Sequence, residues 1–153
     1  MKVALLWVGK TRNQHLHSLV QDYSKRLEYF CDLSIREVAA AKAENPARII
    51  ALESEGLLKR LTPADFVVLL DDHGESLTTR QFAAFLKKHR ESCPRPLVFL
   101  IGGHEGVSQR LRERADRTLS LSSMTLTHEF VRPLLLEQVY RAFSILNGFP
   151  YHK

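Results

Sequence analysis

Three runs in this chain, residues 3–8, 66–70 and 97–101, contain no polar side chain at all. Five or six apolar residues closed by turn-forming residues make a strand, and a strand that is apolar at every position must be covered on both faces. Such strands belong to a parallel sheet flanked by helices, so the chain between them has to supply those helices.

The intervening segments do so. Leu16, Leu19, Val20, Tyr23, Leu27 and Phe30 recur at helical steps of three and four. Residues 33–38 form a second strand, and Asn45-Pro46 then caps and starts a helix reaching about Leu61. The strand at 66–70 closes at Asp71-Asp72-His73-Gly74. Thr78 followed three residues later by Gln81 has the spacing of a capping box, and Phe82, Phe85, Leu86 and His89 give that helix its apolar stripe. Ser108 caps a short helix through Ala115, residues 118–121 form a fifth, more polar strand, and a last helix occupies about 129–146 with Pro133 in its first turn. The expected fold is therefore α/β, a parallel-rich sheet with helices on both faces, in one domain spanning residues 1–153.

Composition bounds the function. With 153 residues and 44% hydrophobic content, the chain can build a core without disulfide or metal support. Cys31 and Cys93 lack metal-site or disulfide-framework spacing, which fits reduced thiols in the cytoplasm, and no metal is expected. No apolar run approaches the roughly 20 residues of a membrane span. Lys and Arg number 22 against 17 Asp and Glu, a net charge of +5 that suits a polyanionic partner without requiring one.

Ligands of parallel sheets bind beyond the carboxyl ends of the strands, so the glycines there matter most. The first strand ends at Gly9-Lys10-Thr11 without G-x-G-x-x-G, and no G-x-x-x-x-G-K-[ST] occurs, which removes the dinucleotide and P-loop readings. Gly102, Gly103 and Gly106 instead follow the strand at 97–101, where bare backbone can approach a ligand or make a tight turn. After the fifth strand come Ser122, Ser123, Met124, Thr125, Leu126 and Thr127, mixing hydroxyls, amides and an apolar wall in a way that suits an adenosine-type ligand. Their hydroxyls also suit a loop that satisfies its own backbone.

The ordered series Phe99-Leu100-Ile101-Gly102-Gly103-x-x-Gly106, Leu119-Ser120-Leu121-Ser122, Thr125-Leu126-x-His128, Val131-Arg132, Glu137-Gln138-x-Tyr140-Arg141-Ala142 and Pro150-Tyr151-His152-Lys153 resembles the RlmH (YbeA-type) methyltransferases of the SPOUT class. Length, Val8-Gly9 and Leu70-Asp71-x-x-Gly74 extend the resemblance over the whole chain. It implies a homodimer with a C-terminal deep trefoil knot, using S-adenosylmethionine to methylate N3 of a pseudouridine in 23S rRNA within the assembled ribosome. By motif, Leu70, Gly102, Gly103 and residues 122–127 surround the cofactor. Because the acceptor N3 carries a proton, a base is needed. His128 is the candidate by residue type, with His152 as competitor; Arg132 and Arg141 are candidates to stabilise the developing anion or hold phosphate, and Tyr151 to stack on the base. His104 stands where the family often has proline. A SPOUT enzyme acting on another RNA, and a non-catalytic ribosome-binding factor, are the rival readings.

Overall fold

The computed structural model describes residues 1–151. Strands β1 (Lys2–Val8), β2 (Asp32–Val38), β3 (Phe66–Ser76), β4 (Leu97–Ile101) and β5 (Arg117–Ser120) alternate with helices α1 (Gln14–Leu27), α2 (Pro46–Leu58), α3 (Thr79–Ser92), α4 (Gln109–Arg114) and α5 (Val131–Leu146). The strands form one sheet in the order β2-β1-β4-β3-β5, with every pairing parallel. His152, proposed from sequence as a competing base, lies outside the described residues.

The unbroken apolar runs are divided between the two faces by the strand period of two. Val3, Leu5, Trp7, Val68, Phe99 and Ile101 face a core closed by Val20 and Leu27 of α1, Phe82 and Leu86 of α3, and Leu135, Val139 and Phe143 of α5. Ala4, Leu6, Val8, Val67, Leu69, Val98 and Leu100 face the opposite core, with Leu57 of α2 and Leu111 of α4. Helices thus cover both faces, as the sequence requires. Among the described residues, no helix is long and apolar enough to cross a membrane.

Register aligns the positions that matter: Trp7 pairs with Ile101, and Ile101 with Leu70, so the ends of β1 and β4 lie level with the point where β3 begins its bulge. One element differs from expectation. β3 does not stop at Leu70 but resumes pairing at Glu75, with both Leu70 and Glu75 opposite Leu119. Residues 71–74 bulge out between them, and Gly74 is needed there, since a Cβ would come within 2.6 Å of the Leu119 backbone.

Helix starts follow the capping residues in the sequence. The Asn13 and Asn45 side chains accept first-turn N–H groups of α1 and α2, and Thr78 with Gln81 forms a full capping box on α3. Thr78→Ala should therefore cost about 1 kcal/mol, read as a lowered urea midpoint with an unchanged slope. An unaltered midpoint would show that the box is redundant.

Candidate active site at the ends of three strands

One cavity opens beside the bulge of β3 and beyond the ends of β4 and β5. Leu70, Asp71 and Asp72 line it from β3 and its bulge, Ile101 to His104 with Gly106 and Val107 from beyond β4, and Ser120, Leu121, Ser122, Met124, Thr125, Leu126, His128 and Val131 from the stretch between β5 and α5. Its walls combine aliphatic side chains with glycine backbone and hydroxyls, the mixture that receives a ligand with both flat apolar and polar parts.

Local chemistry builds each wall. After β4, the chain turns back through an isolated bridge between Gly103 and Gly106, with the Gly106 N–H donating to the Gly103 carbonyl at 3.1 Å. Gly106 sits at φ +95°, a conformation that side-chain-bearing residues rarely adopt. The 122–127 loop is stiffened by its own hydroxyls: Ser120 Oγ donates to the Ser122 carbonyl at 2.7 Å, and Ser122 Oγ accepts the Met124 N–H at 2.9 Å. Hydroxyls thus satisfy the Ser122 carbonyl and the Met124 N–H of a loop that also lines the cavity. At the rim, Arg112 Nη1 donates to Asp71 Oδ2 at 2.5 Å. Burial pushes the Asp71 carboxyl up, but the His73 backbone N–H and the Arg112 guanidinium outweigh it and hold the group below the ordinary carboxylate range. Asp71, Asp72 and His73 bring potential ligand atoms within 4.8 Å of one another. His73 Nδ1 already meets Asp72 at 2.7 Å, and Arg112 already meets Asp71.

The segment after β5 also reaches farther than the cavity. Glu129 Oε2 accepts the N–H groups of Arg12 and Asn13 at 3.0 and 3.2 Å, just beyond β1. The chain therefore leaves the outermost strand, crosses the ends of β3 and β4, and arrives over β1 before α5 begins.

The candidate residues fall into two groups. Leu70, Gly102, Gly103, Ser122, Met124, Thr125, Leu126 and His128 line the cavity; Ser123 and Thr127 are not among its lining residues. Thr127 instead caps the approach to α5, its Oγ1 accepting the Phe130 N–H at 3.3 Å. Burial, and then the charge of Arg132, lowers the His128 pKa from its ordinary value of 6.5. A neutral imidazole near pH 7 is a proton acceptor.

Arg132, Arg141 and Tyr151 do not line the cavity. Arg132 is fully buried, donating from Nη1 to Thr11 Oγ1 at 2.8 Å and from Nη2 to the Val8 carbonyl at 2.6 Å, with Cζ 4.9 Å from the Trp7 ring centroid. Sequence suggested a phosphate or anion partner for it; Nη1 and Nη2 instead donate to the turn after β1 and to β1. Arg141 donates to Glu137 Oε1 from Nε at 2.8 Å and packs 4.7 Å from the Tyr151 ring centroid. The Tyr151 hydroxyl in turn lies 3.2 Å from that of Tyr23. These residues tie the chain's end to α1 and α5.

Sequence reasoning also missed a residue. Glu53 of α2 is 3% exposed and lies against Gly103, which lines the cavity, without lining it itself. An isolated glutamate on an amphipathic helix carries no local signal of burial.

Comparisons with known proteins agree with one another. Residues 1–152 match the family described as "Predicted SPOUT methyltransferase". Proteins named Ribosomal RNA large subunit methyltransferase H are 45% identical over 152 residues in Trichlorobacter lovleyi, 41% over 152 residues in Geobacter sp. strain M21 and 39% over 155 residues in Bacteroides fragilis, each match covering 99% of both chains. Among solved structures, a probable methyltransferase from Bordetella pertussis superposes with a TM-score of 0.62 at 12% identity, covering 93% of this chain and 94% of that one. A probable methylase family protein from Haemophilus influenzae gives 0.59 at 9% identity, covering 99% and 70% respectively. At such identities the structures share the fold alone.

Proposed function

This chain belongs to the SPOUT methyltransferase family, and from that membership we propose that it transfers a methyl group from S-adenosylmethionine to N3 of a pseudouridine in 23S rRNA, acting as a cytoplasmic homodimer on the assembled ribosome. The observation that carries the reading is the convergence of three strand ends on one cavity, the place where parallel sheets take ligands. The naming of the full-length relatives supports the RNA substrate.

The cavity suits the donor. Glycine backbone at 102–103 allows a flat ring and a ribose close approach, while Leu70, Ile101, Leu121 and Leu126 offer an apolar wall. When bound, S-adenosylmethionine supplies an electrophilic methyl carbon on a sulfonium. Leu70, Gly102, Gly103, Ser122, Met124, Thr125 and Leu126 hold and orient it. The protein's remaining task is to align the acceptor nitrogen in line with that carbon and to take its proton. His128 lines the same cavity and is biased toward the neutral form, so it is the proposed acceptor for the N3 proton. Arg132, Arg141 and Tyr151 take no direct part in this reading.

Two features support the larger assembly. Met124 and Phe130, at 75% and 47% exposure, flank the cavity loop with apolar surface that a second copy would cover. The crossing of residues 121–130 over three strand ends supports the threaded, knotted C-terminal segment.

Nucleoside mass spectrometry of 23S rRNA tests reaction and substrate together. Deleting the gene should remove N3-methylpseudouridine, and expressing this chain should restore it. Retention of that nucleoside in the deletion strain would refute the proposal, and loss of a tRNA methylation instead would move the substrate.

A further inference from the structure

Glu53 is a buried carboxyl group that the reaction described above does not use. Its Oε1 accepts the Ala41 N–H at 3.0 Å, while Oε2 is buried with no hydrogen-bond partner among the described residues. Leaving a carboxylate oxygen in that state is costly unless a positive charge offsets it. Its position is held from both sides. Ser54, the next residue, accepts the Ser108 N–H at 2.8 Å through its hydroxyl, pinning α2 to the end of the glycine loop. Gly103 leaves the room that the carboxylate occupies: a Cβ there would collide with Oε2 and stand 3.1 Å from Cδ. Gly103 itself lines the cavity.

We propose that Glu53 is the fixed negative charge by which this site prefers a cationic methyl donor over the neutral thioether left after transfer. The inference rests on the methyl-donor reading of the cavity. Donor and product share their adenosine and amino-acid parts, so contacts from the glycine backbone and the 122–127 loop hold both alike. They differ at sulfur, which carries a positive charge as a sulfonium and none as a thioether. A carboxylate packed against a lining glycine distinguishes these without touching either, because a buried charge is poorly screened. Its attraction ends when the methyl group leaves, which favours exchange of spent cofactor for fresh. Glu53 is on this account a specificity-determining residue, and the proton transfer does not involve it.

Calorimetry with three ligands tests it: S-adenosylmethionine, S-adenosylhomocysteine, and sinefungin, in which a protonated amine replaces the charged sulfur centre. The native protein should bind the two cationic ligands about tenfold more tightly than the thioether. Glu53→Gln should lose about that tenfold on both cations and leave thioether affinity within about twofold, while Glu53→Asp keeps the preference. A parallel loss on all three ligands would mean that Glu53 only supports the loop, and unchanged affinities would mean that its charge does not reach the ligand; either overturns the inference while leaving the methyl-donor reading intact. Equal native affinity for donor and thioether overturns it without any variant, so the test survives a Gln substitution that fails to fold. Native protein that binds none of the three refutes the methyl-donor reading itself, and this inference with it.

Discussion

Arg132→Ala should lower the unfolding free energy by about 3 kcal/mol, with little of the loss recoverable by added ligand. The guanidinium is fully buried beneath Trp7, and removing it strands the Val8 carbonyl and the Thr11 hydroxyl while opening a cavity where the first strand turns toward α1. Two terms oppose each other. Truncation of a large buried side chain costs about 3–5 kcal/mol, but the charge it removes is itself desolvated, and Arg132 Nε has no partner. Desolvation also lowers the pKa of the guanidinium, the direction expected when burial penalises the charged form. Arg132→Met refills most of the volume without the charge and should cost about 1 kcal/mol. Urea denaturation of the two variants separates packing from charge. If Arg132 served the substrate instead, Arg132→Ala would unfold at the native midpoint and lose only activity.

The largest kinetic effect should come from His128→Ala, which is expected to slow methylation by about 10²-fold or more, the range for loss of a positioned base. The pH profile gives the sharper signature. Because burial lowers the His128 pKa below 6.5, the native rate should be flat near pH 7 and fall on the acid side, below the ordinary histidine value. His128→Ala should be slow and lack that limb. An acid limb that survives in the variant would place the base elsewhere. Stability runs the same way with pH. The unfolded chain binds a proton at His128 more readily than the folded one, so this group's contribution is present above pH 6.5 and fades as pH falls through the folded value. Folded fraction must therefore be followed alongside rate on the acid side.

How much of this was visible in the sequence depended on whether the signal was local. β4 was readable to the residue and β1 to within one, because an apolar run bounded by Gly or Pro says both where a strand lies and that both faces are covered. The capping box at Thr78 was equally plain, since both partners sit within one turn. The extension of β3 to Ser76 was not, because residues 71–74 have the composition of a turn and only pairing with Leu119 restores the strand. Among site residues, backbone positions read well: Gly102, Gly103 and most of the 122–127 loop line the cavity. Charged residues on helices read poorly. Arg132 and Glu53 each lie on a helix and would ordinarily face water. What buries them is a partner more than 45 residues away in sequence, Trp7 and Thr11 for one and Gly103 for the other. No local periodicity encodes such a meeting.

The arrangement around Glu129 bears on how the chain is made. β1 is the first strand synthesised, yet it needs β4 beside it, and the turn that follows it takes its hydrogen bonds from Glu129 and Arg132. Those contacts span 116 to 124 residues, so their loop-closure cost falls late, when most of the chain has already left the synthesising ribosome. A nascent chain stopped before α5 holds all five strands and Glu129, but not Arg132, which donates to the Val8 carbonyl and Thr11 at the end of the first strand. Until α5 docks, the sheet face that Leu135, Val139 and Phe143 cover stays open, and the apolar strands on it are exposed to chaperones and to one another.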